Sequence, residues 1–149
     1  MAEDRSYTAV NDRERQRLEA LVEKLDDAAL SRAMPAGWTV AGVLAHLAFW
    51  DERAVVLVEL LKRGATVPVA SANDVDWIND AAKPTQLALA PRRAATLAVE
   101  TARAADRAVA QLSDDLLAKN VAAGRPIYLD RAAHRREHLD EIEQALARR

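Results

Sequence analysis

The chain has 149 residues, a formal net charge of −2 and a pI near 5.9. It is sized for one domain over residues 1–149, and it has no charge excess that would draw it to nucleic acid or to an anionic membrane. Cysteine is absent, which excludes disulfides, thiolate metal ligands and a cysteine nucleophile. Half of the residues are hydrophobic, but aromatics are only 4%, and four glycines and five prolines leave few breaks. That balance favours helices over sheets.

The first helix is expected from about Asn11, with Leu18, Leu21, Val22 and Leu25 on one apolar stripe, fading over Asp26 to Ala29. A turn through Met34, Pro35 and Gly37 follows. Thr39 then caps a second helix that runs to about Arg63, where Gly64 stops it. Ala65 to Ser71 reads as a loop and Asn73 to Asp80 as a short helix pinned to the bundle by Trp77 and Ile78. Pro84 to Leu112 is alanine-rich, with Pro91 suited to the first helical turn and Leu97, Ala104, Val109 and Leu112 as its buried positions. After Ser113-Asp114-Asp115 and the breaker Gly124-Arg125-Pro126, a last helix is expected from near Ile127 almost to Arg149. The fold class is therefore all-α: four long helices in a bundle, with a short extra helix after the second.

No apolar run is long enough to span a bilayer, and the acidic, polar opening lacks the basic flank and apolar stretch of a signal peptide. A cytoplasmic protein acting on a small molecule is the expectation.

The chain has three histidines. His134 and His138 are four residues apart on the last helix, about 40° apart around its axis, so both can ligate one ion. His46 lies among Val43, Leu47, Trp50 and Leu57 on the second helix, which points it into the bundle. Three neutral imidazoles suit zinc, nickel or a similar divalent ion and leave coordination positions open. Solvated or structural histidines are commoner than ligands, but an unpaired imidazole on an apolar face is costly. His134-Arg135-Arg136-Glu137-His138 also fits H-x-x-E-H, the inverted zinc-protease pattern. Those enzymes are much larger and need a distant acidic ligand, so a solvated Glu137 is the simpler reading.

Trp38-Thr39-Val40-Ala41-Gly42-Val43-Leu44-Ala45-His46-Leu47-Ala48-Phe49-Trp50-Asp51 resembles the second-helix signature of the DinB superfamily. The final helix with His134 and His138 is similar to that family's closing pair. Val75-Asp76-Trp77-Ile78-Asn79 and Leu112-Ser113-Asp114-Asp115-Leu116 resemble the middle of DinB-like and mycothiol-dependent maleylpyruvate isomerase-like proteins. The resemblance implies a four-helix bundle, often a homodimer, with a metal held by His46, His134 and His138. It also implies a metal-dependent thiol S-transferase acting on a small electrophile, with mycothiol or bacillithiol as cosubstrate. A metal-dependent hydrolase, or a non-enzymatic small-molecule-binding or stress-resistance protein, is the alternative.

Further residues are candidates for orienting the ligands or touching a substrate. Asp51 falls about 140° around the helix from His46, on the side of Val40 and Leu44, where it could accept from an imidazole. Asp130 stacks one turn before His134 and could orient it. Arg131 and Arg135 could present guanidinium groups to an anion. Trp50 packs as core or walls the pocket, and Asn79 is the candidate from the short helix.

Overall fold

Helix α1 (Tyr7–Lys24) begins one turn ahead of the expected Asn11, in a computed structural model that describes residues 4–148. The first three residues of the acidic opening, and Arg149 at the expected end of the last helix, lie outside that range. Tyr7 explains the earlier start: it is buried, and its hydroxyl donates to the Val109 carbonyl at 3.0 Å. The fade after Leu25 is a single helical turn, α2 (Asp27–Leu30), capped by the Asp26 carboxylate on the Ala29 N–H.

A tight 3₁₀ turn, Pro35–Gly37, leads into α3 (Val40–Lys62). The expected cap is present: Thr39 Oγ accepts from the Gly42 N–H at 3.0 Å, a contact of about 1 kcal/mol. Gly64 ends the helix with a φ of 73°, a backbone setting that residues with a Cβ rarely adopt. Helix α3 has no simple apolar stripe, because all nine residues from Val40 to Ala48 are buried. It is the central helix, covered on several sides, and an all-round apolar composition is what such a position demands.

The extra helix is longer than the sequence reading allowed. Helix α4 spans Ala72–Ala88 and continues through Pro84, opened by a capping box of Ser71 and Asp74. Pro84 removes one helical hydrogen bond, but contacts with the α3 side on both sides of it hold the helix. Trp50 donates its indole N–H to Asn79 at 2.8 Å, and a Cβ added to Gly42 would meet the Leu87 side chain at 2.7 Å. Residues 79 and 87 thus face 50 and 42, so α4 runs antiparallel along α3. Trp77 does not pin this helix; it is 57% exposed and bonds only its neighbour Asp74, while Ile78 is half-buried.

Helix α5 (Pro91–Ala110) starts with Pro91 in its first turn, as expected. Val109 and Leu112 are buried, but Leu97 and Ala104 are only half-buried. The buried face consists instead of Ala94, Ala95, Ala98, Ala102 and Ala105, all fully inaccessible. Methyl side chains let the backbones approach closely, which is why α3 packs most extensively on α5. Ser113-Asp114-Asp115 is not a plain break but the capped start of α6 (Asp114–Ala122).

The last helix, α7 (Ala132–Ala147), starts five residues after the expected Ile127. The Asn120 side chain accepts from the Ile127 N–H and donates to the Ile127 carbonyl, which commits both backbone groups and keeps buried Ile127 out of a helix. Helix α1 packs on α5 and α7. The four long helices expected from the sequence are thus α1, α3, α5 and α7, and the described residues contain no strand.

Candidate metal centre

His46 is carried by α3, and its buried position follows from that helix's central place. His134 and His138 project from α7 with the one-turn stacking expected of positions i and i+4. The structure brings all three together. His134 Nε2 lies 3.1 Å from His46 Nε2 and 3.1 Å from His138 Nε2. The three rings meet edge to face, with centroids 4.7–5.1 Å apart.

Mutual hydrogen bonds cannot account for this geometry. A neutral imidazole nitrogen either carries one proton or offers one lone pair. His138 Nδ1 lies 3.1 Å from the Glu141 carboxylate, to which it donates, so His138 Nε2 carries the lone pair. His134 Nε2 can donate to it, but then has no lone pair left for His46 Nε2. A cation between the three nitrogens satisfies all of them. Tetrahedral ligands about 2.0–2.1 Å from zinc stand roughly 3.3 Å apart, close to the observed separations. The donor set therefore fits a divalent ion with open positions.

Electrostatics favour the ligating form. Burial pushes the His46 imidazole down to about 4, helped by the nearby His138, and burial with both neighbouring histidines pushes His134 down to about 3. Both are neutral at neutral pH. Above pH 6.5 the folded and unfolded chains bind the same protons at these two sites. Between 6.5 and the folded values the unfolded chain takes up protons that the folded one refuses. Metal-free stability is therefore expected to fall as pH drops from 6.5 towards 4 and then 3. The fall should be shallower in His134→Ala, as read from urea midpoints of chelator-treated protein at pH 7 and pH 4.5. Parallel pH profiles for the two proteins would contradict the assignment.

The second circle of residues differs from the sequence reading. Asp51 does not face an imidazole. It is buried and accepts from Arg131 Nε at 3.0 Å and from Arg135 Nη2 at 3.2 Å. Burial pushes its carboxyl up against the pull of those two guanidinium groups. Arg131 and Arg135 are not available to an anionic substrate. Arg135 is fully buried and forms a two-pronged pair with Asp106, at 2.7 and 2.9 Å, while Arg131 also donates to the Trp50 carbonyl. Asp130 is exposed and caps α7, accepting from the Ala132 and Ala133 N–H groups, so it orients the helix rather than a ligand. Glu137 is exposed as well, which removes the protease-like reading's general base from the site.

Trp50 and Asn79 are joined directly, with Arg53 stacked 5.3 Å over the Trp50 ring. They lie one turn beyond His46, where α4 covers α3. On the other side of His46, the Trp38 ring meets the imidazole at 5.8 Å, and Lys83 of α4 sits 4.9 Å over that ring. Helix α4 thus secures a tryptophan on each side of the buried ligand.

Three functional residues escaped the sequence reading. Glu141 was detectable, since it follows His138 by three and shares its helical face. Asp106 was hidden in an alanine-rich helix. Asn11, expected at a helix start, is buried inside α1, where its side-chain oxygen accepts from the Arg131 and Ala132 N–H groups and its side-chain amide donates to the Leu129 carbonyl. It docks the start of α7 onto α1.

A family model described as the DinB superfamily matches residues 11–142. No curated protein and no solved structure matches the chain. No described helix is long and apolar enough to cross a membrane. The family match spans most of the chain and includes all three histidines, and the chain belongs to the DinB superfamily.

Proposed function

We propose that this protein is a metal-dependent thiol S-transferase acting on a small electrophile, with zinc or nickel held by His46, His134 and His138. The observation that carries the reading is the pair of 3.1 Å Nε2 separations, which converge three imidazole donors on one point. A divalent ion bound there would lower the pKa of a thiol or water in an open position. With no cysteine in the chain, the thiol must come from a cosubstrate such as mycothiol or bacillithiol.

The chain's own residues prepare that chemistry. Burial keeps His46 and His134 neutral, so their lone pairs are free for ligation. Glu141 fixes the His138 tautomer by accepting from Nδ1, leaving Nε2 directed at the cluster. His134 and His138 stay partly accessible, so the open side lies on the α7 face. Assembly as a homodimer belongs to the same proposal, and exposed apolar residues such as Val56 and Tyr128 supply surface for it.

The test is turnover of a panel of small electrophiles by the metal-loaded protein, with and without added mycothiol or bacillithiol. Thiol-dependent product that disappears in His46→Ala is expected. Activity undiminished without any thiol would replace the transferase reading with that of a metal-dependent hydrolase. No turnover by a fully loaded protein would favour a binding protein.

A further inference from the structure

We propose that the cavity between the Pro35–Gly37 turn and the C-terminal end of α7 binds a small apolar carboxylate, seating its body against Trp38 and Glu141, the two lining residues that touch the histidine cluster. The cavity encloses about 350 Å³, near the lower end of the range for small-molecule sites. Buried Met34, Val43 and Ala145 give it an apolar floor, and Trp38 forms a wall. Its rim is polar: Glu141 and Gln144, three residues apart, come from one face of α7, and Arg148 is the extended residue that follows the helix. Glu141 is already engaged by His138, whereas the Arg148 guanidinium is in no ion pair among the described residues. An apolar body with one anionic end matches that distribution.

Two contacts join the cavity to the metal centre. The Trp38 ring touches His46, and Glu141 holds the tautomer of His138. A ligand in the cavity therefore rests on two residues that each touch a different imidazole. The wall is also fixed from behind. Lys83 of α4 lies over the Trp38 ring and donates to the Ala36 carbonyl at 2.5 Å. Ala36 holds a φ of 58°, a left-handed setting disfavoured for a residue with a Cβ. Such strain persists only where its surroundings enforce it, and it occurs here on a residue that lines the cavity.

The proposal rests on the metal-centre reading only for the destination of the ligand; binding in the cavity needs no ion. The experiment is a titration of chelator-treated full-length protein with 2-naphthoate, followed by chemical shifts of the Met34 methyl and the Ala145 amide. Saturable shifts at both are expected, with about tenfold weaker binding of the uncharged 2-naphthylmethanol and about tenfold weaker binding of naphthoate by Arg148→Ala. Gln144→Trp, a change at an exposed rim position, should block the shifts and leave the melting temperature unchanged. Absence of saturation, shifts that survive Gln144→Trp, or equal affinity for acid and alcohol would each overturn the proposal. A parallel zinc titration separates the two readings. Zinc binding without naphthoate binding overturns the cavity and leaves the metal centre standing, and naphthoate binding without zinc does the reverse.

Discussion

Asp106→Ala is expected to destabilise the fold by about 3–5 kcal/mol, the usual cost of stripping one partner from a buried ion pair. At this chain length that corresponds to a loss of on the order of 10 °C in melting temperature. The carboxylate of Asp106 accepts from Arg15 at 2.7 Å and from both terminal nitrogens of Arg135. Without it, fully buried Arg135 keeps Asp51 as its one ionic partner, with longer bonds to the Asn11 and Ala102 backbone carbonyls, and its Nε already has no hydrogen-bond partner. Two inward-facing guanidinium groups, Arg131 and Arg135, would then share one carboxylate.

The reverse substitution should be milder. Arg135→Met removes one charge but leaves Asp51 paired with Arg131, and Asp106 paired with Arg15. Each remaining ion keeps an opposite partner, and methionine's flexible chain fills much of the vacated volume. Thermal unfolding of the two variants ranks them directly. If Arg135→Met were the more damaging, the arginine's geometry rather than charge balance would govern this cluster. The cluster ties α1, α3, α5 and α7 together beside His134, so Asp106→Ala should also weaken metal binding.

The four long helices were legible because their signals are local: leucine spacing in α1, the Thr39 cap, Pro91 at a first turn, and Gly64 at an end. The late start of α7 was not, since it depends on Asn120 gripping the Ile127 backbone seven residues away. The histidine pair was visible as a spacing, but the arrival of His46 beside it depends on helix packing that only the family resemblance anticipated. The arginines were misread for a physical reason. Arg131, Arg135 and Asp106 carry no local mark of burial when taken alone, and Asp51, on the side of Val40 and Leu44, reads as a partner for an imidazole. Their burial becomes affordable only when all four meet, and pairing between helices leaves no mark on hydrophobic periodicity.

Zinc is expected to raise the stability of the native chain and to leave His46→Ala and His138→Ala unchanged. A ligand that binds only the folded state stabilises it by RT ln(1 + [L]/Kd), about 4 kcal/mol at a thousandfold excess over Kd. Each variant loses one of three donors, and the rise in melting temperature with zinc concentration should vanish in both. Without metal, His46→Ala should cost little, because its Nδ1 is buried with no hydrogen-bond partner and its Nε2 competes with His138 for the single His134 nitrogen. Glu141→Gln separates ligation from tautomer control. It leaves all three imidazoles in place but exchanges the carboxylate that accepts from His138 Nδ1 for a weaker, uncharged acceptor, and mutation of such a partner typically weakens metal binding about 10–100-fold. Thermal unfolding across a zinc series should therefore give three curves: a rising one for the native chain, a later rise for Glu141→Gln, and flat ones for the histidine variants. An equal zinc response in the native chain and in His46→Ala would show that the ion sits elsewhere.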